Sequence, residues 1–189
     1  MPRVRRNDKR DRLVQAADKL IYEKTFHTTT LADIAKLAGV PLGNVYYYFK
    51  TKEEIVMAVI KRRQQLMEEQ FQAWAQLSSV SERLKAFIQQ FVEDSETLAR
   101  FGCATGSLCQ ELGKHGGAIG DSAASLLKEM IAWTQKQFRE MGKSDEDSHR
   151  LAEHFIANIQ GMNLLTLTFK QPNFCQRQSE ALKAWVDTL

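Results

Sequence analysis

The reading turns on residues 26–54, FHTTTLADIAKLAGVPLGNVYYYFKTKEE. Counting from Leu31, the fifth residue is Ala35, the ninth is Gly39 and the fifteenth is Val45. A helix-turn-helix needs a small residue at the fifth place, where the second helix crosses closely. It needs tolerance of positive φ at the ninth, to turn the chain, and an apolar residue at the fifteenth, to pack back. Ile34, Ala38 and Val40 fill the other inward places. Two short core helices joined by a glycine turn would share this spacing. Pro41 suits the opening of the second helix, because a first turn does not need the missing N–H. Thr51 is placed to cap the next helix, with Glu53 and Glu54 favouring its positive end.

The outward residues speak for nucleic acid. Asn44, Tyr46, Tyr47, Tyr48, Lys50 and Lys52 concentrate hydrogen-bonding groups and charge on and just beyond one short helix, within reach of base edges and phosphates. Three tyrosine hydroxyls would each need a partner if buried in so small a head, so one ring is expected to pack and two to face a phosphate surface. Thr29 and Thr30 can cap the preceding helix, whose free N–H groups then suit a phosphate. Arg3, Arg5, Arg6, Lys9 and Arg10 could follow a backbone or enter a minor groove.

Charge follows the same division. Residues 1–63 carry 14 Lys and Arg against 7 Asp and Glu, and residues 64–189 carry 12 against 16. A basic head on a mildly acidic body is the layout of a chain with one end on a polyanion. The whole chain, 189 residues with only three prolines, is rich in helix formers. Hydrophobic repeats of three and four residues predict an all-α fold of about nine helices, among them one from Lys52 to Trp74 and single stripes over 84–98 and 119–141. The glycine-rich segment from Phe101 to Gly120 admits only a short helix near Ser107–Leu112. A helix from Asp145 to about Lys170 ends at Pro172, and the last one follows from Phe174. The division falls at Lys52: residues 1–51 form the helix-turn-helix head and 52–189 the helical body.

Other classes find little support. No apolar run approaches the ~20 residues of a membrane span, and the basic N-terminus is not followed by the apolar stretch of a secretory signal. Cys103, Cys109 and Cys175 are odd in number and form no Cys-x-x-Cys pair, which suits a reducing cytoplasm. His149 and His154 lie about 140° apart on a helix, so no metal or other cofactor is expected. Phosphate loops and nucleophile elbows are missing, so no enzyme is expected.

The quoted segment resembles the N-terminal signature of the TetR family of bacterial transcriptional repressors, with a detailed match over about residues 10–60. The resemblance implies a three-helix head that binds double-stranded DNA and a larger body that binds a small ligand and dimerises. By position, Leu42, Gly43 and Asn44 resemble the start of a recognition helix. Tyr46 and Tyr47 resemble groove-facing residues, Tyr48 a phosphate contact, and Lys52 the lysine that clamps the DNA backbone. Leu42 stands where many members carry a polar or basic residue, and offers only apolar contact, as to a thymine methyl. A palindromic operator follows, since two heads about 34–36 Å apart meet successive major grooves. The helices at 145–170 and 174–189 are expected to pair with their copies. Met67, Phe71, Phe91, Phe101, Cys103, Leu108, Met130, Trp133, Phe138 and Asn163 are the candidate lining for an apolar or aromatic effector. Cys103, beside glycines, is also a candidate thiol sensor of oxidants or electrophiles.

Overall fold

The computed structural model describes residues 4–189, with side chains from Asp8 onward. Arg3 and the side chains of Arg5 and Arg6, expected near DNA, lie outside the described residues. Ten helices and no strand occur among the described residues: α1 (Val4–Glu23), α2 (Leu31–Ala38), α3 (Leu42–Tyr48), α4 (Lys52–Trp74), α5 (Val80–Glu93), α6 (Ser95–Phe101), α7 (Ala104–His115), α8 (Gly117–Glu140), α9 (Asp145–Phe169) and α10 (Pro172–Val186). The fold is all-α, as the repeats require. The tenth helix arises because the stripe expected as one helix over 84–98 breaks at Asp94, which caps α5 and opens α6. The glycine-rich segment forms a longer helix than expected, α7, of 12 residues. Pro172 does more than end α9: it occupies the first turn of α10.

The chain packs as two compact units. One comprises the chain to Leu66 together with Ser107–Leu126; the other comprises Met67–Gly106 with Leu127–Leu189. Lys52, expected as the boundary, marks the start of α4, yet the first unit takes in α4 as far as Leu66. Side-chain bonds explain why. Arg63 Nη2 lies 2.7 Å from Asp18 of α1, and Gln64 Nε2 donates to Ser125 of α8 at 3.1 Å. Gly120 lets α8 approach α7, since a Cβ there would stand 2.9 Å from the carbonyl oxygen of Leu112.

The second unit has an aromatic core. The Phe71 and Trp133 rings stack 4.7 Å apart, and Phe87 stacks on Trp133 at 5.8 Å. Phe155 and Phe138 are fully buried beside them, with Leu84, Ile88, Ile156 and Ile159. A smaller cluster joins Leu98, Met162 and Cys175, with Phe91 and Cys103 packed against it.

Candidate nucleic-acid interface and the helical body

Local chemistry builds the head. The Thr30 hydroxyl accepts the N–H of Asp33, and the Asp33 carboxylate accepts the Thr30 N–H, so the first turn of α2 is capped from both sides. These bonds, led by the one from the Thr30 hydroxyl, hold the Asp33 carboxyl below the usual carboxylate range. Ala35 and Val45 are buried at the helix crossing, and Gly39 turns the chain at φ 62°. All three of the spacing-defined positions therefore do what a helix-turn-helix asks of them.

That packing turns one side of α3 outward. Leu42, Gly43, Asn44, Tyr46 and Tyr47 are exposed, with Tyr47 60% accessible. Tyr48 is half-buried and meets Tyr47 edge-to-face at 5.0 Å. The ring expected to pack is thus Tyr48, and only in part. Lys50 Nζ donates to the carbonyl oxygen of Tyr46 at 2.8 Å, which satisfies an end of α3.

Two expected contacts have other work. Thr29 is a correction: it is 1% exposed, its hydroxyl donates to Thr25 O at 2.7 Å, and its N–H is bonded to the same oxygen. Its side chain has no route to a phosphate. Lys52 is half-buried; its ammonium donates to the carbonyls of Phe26 at 2.7 Å and His27 at 3.2 Å, over the Phe26 ring. It fastens the α1–α2 loop to the start of α4. The same loop is held from its other side by Glu111 of α7, whose carboxylate accepts the N–H groups of Phe26 and His27 at 2.8 and 2.9 Å. Sequence reading missed Glu111: one glutamate in a helix carries no pattern that names partners 85 residues away.

The expected ligand-lining residues do not form one group. Leu108 belongs to the first unit; the others belong to the second. Phe71, Met130, Trp133 and Phe138 form the aromatic core, with Met67 packed against it. Phe101 lies under the Arg100 guanidinium at 4.8 Å. Cys103 and Asn163 stand apart by chemistry. The Cys103 sulfur accepts the Gly106 N–H at 3.3 Å, at the start of α7, and lies 4.0 Å from Gln160 Nε2. Asn163 is 1% exposed, and neither atom of its carboxamide has a protein partner.

A capped helix, a glycine turn and an outward helix of tyrosines and asparagine define a helix-turn-helix DNA-binding protein. Residues 13–59 match the family described as bacterial regulatory proteins, tetR family. A helix-turn-helix transcriptional regulator of Lactococcus lactis is 26% identical over 191 residues, covering 94% of this chain and 92% of that one. The regulator TtgR of Pseudomonas putida is 43% identical over 51 residues, 27% of this chain and 24% of its own length. A TetR regulator structure from Chloroflexus aurantiacus superposes with a TM-score of 0.84 at 19% identity, over 96% of this chain and 95% of that one. The head thus carries the tetR-family segment, and the chain is similar over its length to helix-turn-helix transcriptional regulators. No described helix is long and apolar enough to cross a membrane.

Proposed function

We propose that the protein is a ligand-responsive repressor that holds a palindromic operator as a homodimer and releases it when a small effector binds the helical body. The observation that carries the reading is the exposure of Asn44, Tyr46 and Tyr47 on α3. Asn44 reads a base edge; Tyr46 and Tyr47 face the groove, with Leu42 and Gly43 making close contact at the helix start. Thr30 and Tyr48 meet phosphates, and Lys52 positions the head through the α1–α2 loop. The effector shifts the equilibrium only by binding the released state better, and a tenfold loss of DNA affinity needs about 1.4 kcal/mol of such preference.

The test is selection of bound fragments from a genomic library, followed by variants on the selected site. Asn44→Ala relaxes preference at one base position, by about 1–3 kcal/mol against the wrong base. Retention of every fragment unchanged in both Asn44→Ala and Tyr47→Ala refutes the assignment of α3.

A second reading is favoured by the position of Cys103. Its sulfur is only half-buried, within reach of a reagent, and accepts the Gly106 N–H at the start of α7. Cys175, by contrast, is buried, and desolvation pushes its thiol up. Iodoacetamide is therefore expected to modify Cys103 well before Cys175, with loss of DNA retention that Cys103→Ser prevents. Equal labelling of the two, or modification without effect on DNA, removes the thiol reading.

A further inference from the structure

Asn163 poses a physical problem. A buried carboxamide without partners costs free energy that apolar residues of the same shape would not. Both its Nδ2 and its Oδ1 are sealed and unpartnered, yet every polar side chain near it on α9 is engaged. Gln160 reaches the Cys103 sulfur, Thr166 donates to Met162 O at 2.8 Å, and Lys170 donates to Arg100 O at 3.4 Å.

Its direction follows from the helix. Residues advance by about 100° each along α9, so Ile156 and Ile159, both buried in the aromatic core, lie about 20° and 40° to either side of Asn163. Gln160, which reaches the Cys103 sulfur, lies about 60° away. Asn163 therefore shares the face of α9 that packs into that core. The Gln160 carboxamide fills the space beside Gly106, where a Cβ would stand 2.3 Å from its Oε1. Phe91, Leu98 and Met162 supply apolar surface beside Cys103.

We propose that Asn163 is the polar anchor of the effector site, and that the effector is a neutral carboxamide or lactam on an apolar body. This rests on the ligand-responsive reading above. Such a group presents an N–H donor and a carbonyl acceptor side by side, which pair with Oδ1 and Nδ2 together. A carboxylate offers acceptors alone and leaves Oδ1 unpaired. A hydrocarbon leaves both atoms unpaired.

The full-length protein is titrated with benzamide, 2-naphthamide and 2-quinolone, each beside its carboxylate or hydrocarbon counterpart, and compared with Asn163→Leu. At least one amide or lactam is expected to bind tenfold or more tightly than its counterparts, and that margin disappears in Asn163→Leu. The variant itself is expected to melt at or above the wild-type temperature, because an unsatisfied group has been replaced by an apolar one. Amides that bind no better than their counterparts, or equally to both proteins, overturn the proposal. So does a panel in which nothing binds, or a variant several degrees less stable, which would show Asn163 already satisfied inside the fold. DNA retention separates the two ideas: an amide that binds through Asn163 and leaves retention on a selected fragment unchanged sinks the effector reading while the site stands.

Discussion

At the scale of single residues, the head depends on a loop whose backbone groups are satisfied by two distant side chains. The segment around Phe26 and His27 has its N–H groups on Glu111 and its carbonyls on Lys52. Backbone groups left without partners near a buried Phe26 would loosen the segment that leads into α2. Glu111→Ala removes two bonds to a charged acceptor and is expected to lower stability by about 1.5–3 kcal/mol, measured by urea unfolding. The sharper measurement is amide exchange: the Phe26 and His27 protons exchange much faster in the variant, while those of α9 do not. Unchanged exchange at those two amides rules out the clasp. The sequence could not announce this pair. Lys52 drew attention because the family pattern places a lysine there, and its role as a loop fastener depends on geometry that spacing does not encode.

At the scale of elements, what was legible was short-range. Ala35, Gly39 and Val45 are read from their spacing because the crossing of α2 and α3 is settled within fifteen residues. Capping is equally local, and it carries a pH signature. The Asp33 carboxyl is depressed by bonds from Thr30. Its contribution is complete at pH values above the unfolded carboxyl's range, about 4, and is lost as pH falls through the lower native value. Acid titration of stability is therefore expected to be shallower in Thr30→Ala than in the wild type below about pH 4; identical profiles would show that the cap does not couple to protonation. The misread elements have physical causes as well. The break at Asp94 has no glycine or proline to mark it, and the apolar stripe resumes at Leu98 because α6 packs on the smaller cluster with Met162 and Cys175, against which Phe91 of α5 also lies. In α7 the glycines suggested interruption, since each costs about 1 kcal/mol against alanine in a helix. Gly106 is there because Gln160 occupies the space a side chain would take, a contact 54 residues along the chain that no local rule reveals.

At the scale of the whole molecule, operator binding needs twofold symmetry, and the surface of α9 and α10 offers a place for it. Leu151, Phe155, Ile159, Met162 and Thr166 of α9 are all buried within the subunit. The same helix leaves Leu164, Leu165 and Phe169 exposed, at 55%, 39% and 50%. Ala181 and Ala184 of α10 are exposed too, and small enough to let a second helix come close. Large apolar side chains grouped on the surface are what a partner covers, each contributing about 1.5–3 kcal/mol when fully buried. The second copy proposed above, pairing through residues 145–170 and 174–189, would cover them and supply a second head. Leu164→Glu combined with Leu165→Glu is therefore expected to shift the protein from dimer to monomer in sedimentation, with its helical content intact. Specific retention on a selected palindrome falls with it, because one head reads one half-site, while weak salt-sensitive binding to any DNA persists. A double variant that still sediments as a dimer, or a wild type that is monomeric at the concentration where it grips its palindrome, would move the source of symmetry away from α9 and α10.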